Sequence, residues 1–167
     1  MGYRSKHTNY IVHIIPLRGL SRQQEALCLF LRKEAGRCWT DMLNTHIESR
    51  SGKWLSSSNL KKMFKGQYLL HSQTIQGLAE KLEANIDTAR ELRKTDPQAR
   101  YPYRPKQYQT VIWKEAEIHR QGDRKLSVSN GKKIPPLILP IPAKYVDSDI
   151  CKAELSWRAD HYELCLT

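Results

Sequence analysis

The segment RYPYRPKQYQTVIW, Arg100 to Trp113, sets Tyr101, Tyr103 and Tyr108 among Pro102, Pro105, Arg100, Arg104 and Lys106, then turns directly into a β-branched and aromatic run. A linker has no use for so many rings, and a core strand does not tolerate two prolines beside cations. The combination suits a grip on a polyanion. Cations neutralise phosphates, prolines hold the backbone extended, and tyrosines offer ring faces or phenolic donors to bases.

Catalytic groups are not assembled by the sequence. His7, His13, His46, His71, His119 and His161 form no zinc-spaced or triad-like set, and no glycine-rich phosphate loop occurs. Asp147 and Asp149 are the one close aspartate pair, and in the polar connector VDSDI they read as a turn or cap. Cys28, Cys38, Cys151 and Cys165 contain no C-x-x-C pair. The first two fall about 15 Å apart on one helix, too far for a disulfide, so the four read as reduced core thiols.

The 167 residues carry a net charge of +11, and its placement says more than its size. Lys53, Lys61, Lys62 and Lys65 face no acid between residues 53 and 65, and residues 100–133 hold nine Lys and Arg against Glu115, Glu117 and Asp123. Residues 72–96 and 134–167 are slightly acidic. Charge concentrated in this way fits a polyanion-binding surface, although a solvated basic face would look the same. The length allows one folding unit, and no window approaches the ~20 apolar residues of a membrane span. With no apolar stretch behind MGYRSKHTNY to signal export, the expected location is the cytoplasm, associated with the nucleoid, and no membrane partner is expected.

The elements that must position these residues follow from periodicity. TNYIVHIIPL reads as a strand, Thr8 to Leu17. Ser21 with Gln24 three residues on makes a capping box, and Leu27, Leu31, Ala35, Cys38, Met42 and His46 recur at helical spacing, with Phe30 and Trp39 widening the stripe. The spacing predicts a helix over 21–49. One of Ser56, Ser57 or Ser58 caps a short helix carrying Leu60, Met63 and Phe64. Ser72 caps a second long helix with Ile75, Leu78, Ala79, Leu82, Ile86 and Ala89 on one face, closed by Asp96-Pro97. Period two then returns in YQTVIW, KLSVS, an Asn130-Gly131 turn and IPPLILPIP. A final hairpin turns at Arg158–His161, with Leu155 and Trp157 answering Tyr162, Leu164 and Leu166. Trp39, Leu82 and Trp157 are expected in the core, and Tyr108 and Trp113 are expected to pack as strand residues. The fold class is α+β: an oligonucleotide-binding-like β-barrel interrupted by a helical insertion, with residues 1–20 as first barrel strand, 21–97 as insertion and 98–167 as remaining strands and closing hairpin.

The first strand, LSRQQEALCLFLRKEAGRCWTDML, HSQTIQGLAEKLEANIDTA, RYPYRPK, QTVIW and the closing hairpin, in that order over nearly all of the chain, resemble the N-terminal half of TnpB proteins. These are RNA-guided nucleases of insertion sequences, often labelled putative transposases and related to type V CRISPR effectors. The resemblance implies that the strands form a wedge-type barrel and the helices a recognition lobe, that the two read a target-adjacent motif in duplex DNA, and that they hold guide RNA. It implies a DNA-facing set of Ser56, Ser57, Lys61, Ser72, Gln73 and Gln76. Gln bonds adenine edges, Ser bonds bases or phosphate, and Lys neutralises phosphate. Ser56 and Ser72 read equally well as helix caps. It implies an RNA-facing set of Arg100, Tyr101, Tyr103, Arg104 and Lys106, where the chain crosses from lobe to barrel.

In the family, cutting belongs to a RuvC-like half whose carboxylates hold two metal ions. The resemblance places the first of them just after the hairpin that reaches Thr167 here, so this chain is expected to bind without cutting, with no cofactor of its own and magnesium only in a RuvC-like half. Three readings stay open: the binding portion of such a nuclease, one half of a split nuclease completed by another chain, and an unrelated helix-turn-helix DNA-binding regulator acting as a dimer.

Overall fold

The structure, a computed structural model, describes residues 10–49, 55–145 and 147–167. Strand β1 (His13–Leu17) leads into three helices, α1 (Arg22–Glu48), α2 (Ser57–Phe64) and α3 (Ser72–Thr95), and six strands follow: β2 (Val111–Lys114), β3 (Ile118–Arg120), β4 (Lys125–Val128), β5 (Leu137–Pro140), β6 (Lys152–Arg158) and β7 (His161–Leu166). The expected strand from Thr8 is shorter. Thr8 lies outside the described residues, and residues 10–12 are exposed and unpaired before the ladder begins at His13.

Local chemistry sets the helix starts. At Ser21 both halves of the capping box form: the Gln24 amide donates to Ser21 Oγ and the Ser21 amide to Gln24 Oε1. Ser56 makes the same arrangement with Asn59 at α2. The third start differs from expectation. His71, not Ser72, is the N-cap of α3, its Nδ1 lying 3.2 Å from the Gln73 amide, and Ser72 is the first helical residue. An imidazole nitrogen can accept as a serine hydroxyl does, so the rule that favours Ser missed it by one position. Asp96 ends α3 as expected.

The strands form two antiparallel sheets, β1-β7-β6-β2 and β3-β4-β5, and no closed barrel exists among the described residues. Between β2 and β3 a 3-10 turn at Glu115–Glu117 carries the chain from one sheet to the other, and Glu117 Oε2 accepts from the Lys114 amide. That turn takes the chain out of the β2–β6 ladder instead of letting the strand run on. Near the β5 edge, Gln24 Nε2 donates to the Ile138 carbonyl at 2.6 Å, so a helix side chain meets the edge backbone there. The first strand pairs with the last, Ile15 opposite Leu164 and Leu17 opposite Tyr162, and the three helices connect the two edge strands of this sheet, β1 and β2.

One core joins the layers. Trp39, Met42, Leu78 and Leu82 from the helices meet Trp113, Leu155 and Leu164 from the first sheet and Leu126, Leu137 and Leu139 from the second. Gly77 lets α3 lie directly on β2, where a β-carbon would stand 3.2 Å from Ile112 Cγ2. Trp113 is fully buried, as strand packing predicts, and its Nε1 donates to Asn130, which in turn donates to the Pro135 carbonyl. Trp157 departs from expectation at 44% exposed. Its β6 neighbours on the same face, Ala153 and Leu155, are buried, whereas Trp157 stands one step from the strand's end. Of the four free cysteines, Cys28 and Cys38 are core residues whose thiols burial pushes up to about 12, but Cys165 is half-buried and Cys151 exposed.

Candidate nucleic-acid interface

Residues 103–109 lie extended along α1, antiparallel to it. The Gln109 amide donates to the Arg32 carbonyl at 3.1 Å, Thr40 Oγ1 bonds both the amide and the carbonyl of Lys106, and the Tyr103 hydroxyl lies 3.4 Å from His46 Nε2. The match is metrical. From Arg32 to His46 the helix advances about 21 Å at 1.5 Å per residue, and from Tyr103 to Gln109 an extended chain covers about 20 Å. Pro105 has no amide to satisfy and fixes an extended φ in this strip. Gly36 makes the approach possible: a β-carbon there would stand 2.3 Å from the Gln107 carbonyl oxygen and 2.9 Å from that of Lys106.

The cations of the strip are held with little compensation. Arg100 and Arg104 are exposed and form no ion pair with described residues. The Lys106 ammonium lies 4.9 Å over the Trp39 ring, and partial burial, helped by the charge of Lys81, holds it below the usual lysine range. An ammonium destabilised in this way gains from an arriving anion. Beside it opens a cleft of about 420 Å³ lined by Lys33, Arg37, Thr40, Asp41, Lys106 and Gln107. Arg37 is engaged by Glu34 through two hydrogen bonds of 2.9 and 3.0 Å, while Lys33 faces solvent and forms no ion pair with described residues. Lys33 escaped the sequence reading. The signal was a polar face on α1, Lys33, Gly36, Arg37 and Thr40, with a glycine inside a helix that had no turn to make.

The tyrosines of the RNA-facing set are half-buried. Tyr101 and Tyr103 stack on each other, centroids 5.2 Å apart and 13° from parallel, and the Arg93 guanidinium lies 5.3 Å over Tyr101. Tyr108 is not a strand residue, since β2 begins only at Val111; it lies half-buried in the segment before it, beneath the Arg32 guanidinium at 5.2 Å.

The DNA-facing set is not gathered on one spot. Helices α2 and α3 run antiparallel, with Ser57 against Glu83 and Lys61 against Glu80. Ser56 and Ser57 therefore lie near the middle of α3, roughly 15 Å along its axis from Gln73. Ser57 donates through both its amide and its hydroxyl to Glu83, and those bonds hold Glu83 below the usual carboxylate range. Lys61 is not a free cation: its Nζ is 2.6 Å from Glu80, which also binds Lys114, and although burial opposes it these two partners lower the Glu80 pKa. Gln73 and Gln76 stand half-exposed on the first turn of α3, with no side-chain hydrogen bond to described residues. Lys53 lies outside the described residues, leaving Lys62 and Lys65 as the exposed cations of that block.

Among the described residues no three His, Cys, Asp or Glu come together as a metal site, and no helix is long and apolar enough to cross a membrane. No protein-family model matches the chain, and no curated protein matches it in sequence.

Proposed function

We propose that this chain is the nucleic-acid-binding portion of a TnpB-like RNA-guided DNA endonuclease. Guide RNA lies along the strip from Arg100 to Lys106, and the first turn of α3 reads a target-adjacent motif through Gln73 and Gln76. The observation that carries this reading is the strip itself, where Arg100, Arg104, Lys106 and Lys33 have no carboxylate partner among the described residues while Glu34, Glu80 and Glu83 are engaged elsewhere. The return of the last strand beside the first supports a wedge unit interrupted by a recognition lobe. Cutting, with magnesium, is assigned to a RuvC-like half outside these residues.

Salt dependence tests the assignment. Log affinity for structured RNA should fall with log salt by about 0.9 per duplex phosphate neutralised, or about 0.7 for single strands. Replacing Arg100, Arg104 and Lys106 together with Ala should remove about three phosphates from that slope and weaken RNA more than duplex DNA. An unchanged slope in the triple variant removes the role given to the strip.

A further inference from the structure

We propose that Trp157, together with the adjoining face of α1, holds an unpaired nucleobase of a single-stranded nucleic acid at the end of the Arg100–Lys106 strip. The inference rests on the nucleic-acid reading above and names a site within it. A cleft of about 330 Å³ separates Trp157 and Tyr162 from Arg22, Glu25, Ala26 and Leu29 on α1. Its lining is mainly apolar and aromatic, with Arg22 and Glu25 as its charged members.

Three features converge there. The indole is 44% exposed and is set by a T-shaped contact with Tyr162, centroids 4.7 Å apart, so a large π-surface is both accessible and oriented. Every base offers a face to such a surface. The Arg32 guanidinium lies 5.2 Å over Tyr108 and 5.9 Å over Tyr162, and among the described residues it forms no ion pair and its buried Nε has no hydrogen-bond partner. That cation sits between the aromatic strip and the cleft. Finally, Arg22, Ala26, Leu29, Lys33, Gly36 and Thr40 recur at helical spacing and share one face of α1. The strip crosses this face at Gly36 and Thr40, and the cleft occupies the same face at Arg22, Ala26 and Leu29. A polynucleotide following the strip past Lys33 and Arg32 is thereby led into the cleft.

The test uses the full chain with two labelled probes, a short oligoadenylate and a sugar-phosphate oligomer of equal length without bases, followed by fluorescence anisotropy. The parent should bind the oligoadenylate more tightly. Trp157→Ala should weaken the oligoadenylate roughly 5- to 100-fold and leave the base-free probe unchanged, while Trp157→Phe should retain most of the affinity. If Trp157→Ala binds both probes as the parent does, or loses both equally, the base site is wrong while nucleic-acid binding stands. A parent that binds neither probe overturns the functional reading itself. Self-association of the parent that is lost in Trp157→Ala, with no change in oligoadenylate affinity, makes this surface a protein contact instead.

Discussion

Gly36 and Gln107 touch through their backbones: the space a side chain at residue 36 would need lies 2.3 Å from the Gln107 carbonyl oxygen and 2.6 Å from its carbon. Neither partner is a side chain that can swing aside. Gly36→Ala should therefore displace the strip, destabilise the protein by about 3 kcal/mol, and weaken RNA binding in the same step. Urea unfolding with a parent-like midpoint would show that the strip does not depend on this approach.

The tryptophans should separate by location. Trp39→Ala and Leu82→Ala remove side chains that are 1% and 0% exposed, and each should cost ~2–5 kcal/mol with lower soluble yield. Trp157 is 44% exposed, so Trp157→Ala loses one aromatic contact and only part of a full burial, and a smaller cost of roughly 1–3 kcal/mol is expected. Thermal melts of the three variants compare them directly, and a Trp157→Ala loss as large as that of Trp39→Ala would contradict the observed exposure.

Gln73 and Gln76 carry the DNA-reading assignment after Lys61 and Ser57 proved to be engaged by Glu80 and Glu83. Replacing both with Ala should leave the melting temperature near that of the parent and weaken a preferred duplex, at about 1–3 kcal/mol per lost base contact, far more than random duplex. Equal losses on both duplexes refute a reading role.

Glu117 supplies a pH signature. Its side chain is 1% exposed, and burial raises its pKa, although the hydrogen bond from the Lys114 amide opposes the shift. A carboxyl raised in the folded state binds its proton more tightly there than in the unfolded chain. Its contribution is full below the ordinary carboxylate value and is lost as pH rises through the folded pKa. Glu117→Gln removes that loss while keeping an oxygen for the Lys114 amide. Its stability relative to the parent should therefore improve between acid and neutral pH, as followed by urea titrations at several pH values; a constant difference would rule out the raised carboxyl.

What was legible beforehand divides along physical lines. The Ser21–Gln24 box, the Ser56 cap, the Asp96 stop, the buried faces of α1 and α3 and the Arg158–His161 turn were all readable, because each depends on residues within about four positions of one another or on a periodic pattern. The proline-tyrosine strip was recognisable as extended and unusual, but not as lying along α1. That depends on Gly36 meeting Gln107 some seventy residues away, and a lone glycine in a helix does not name its partner.

The sequence by itself determined the basic balance, the placement of the helices between the first strand and the rest, and the aromatic and cationic character of residues 100–113. Only the tertiary structure decided which cations remain available, since Lys61 meets Glu80 across two helices while Arg104 meets no carboxylate among the described residues. It also decided that Trp157 faces solvent and that the strands divide into two sheets at Glu115–Glu117. Residue type and spacing set local hydrogen bonding and the faces of elements. Ion pairing, exposure at an element's end and the joining of sheets depend on which distant surfaces arrive together, and that information resides in no short stretch of the chain.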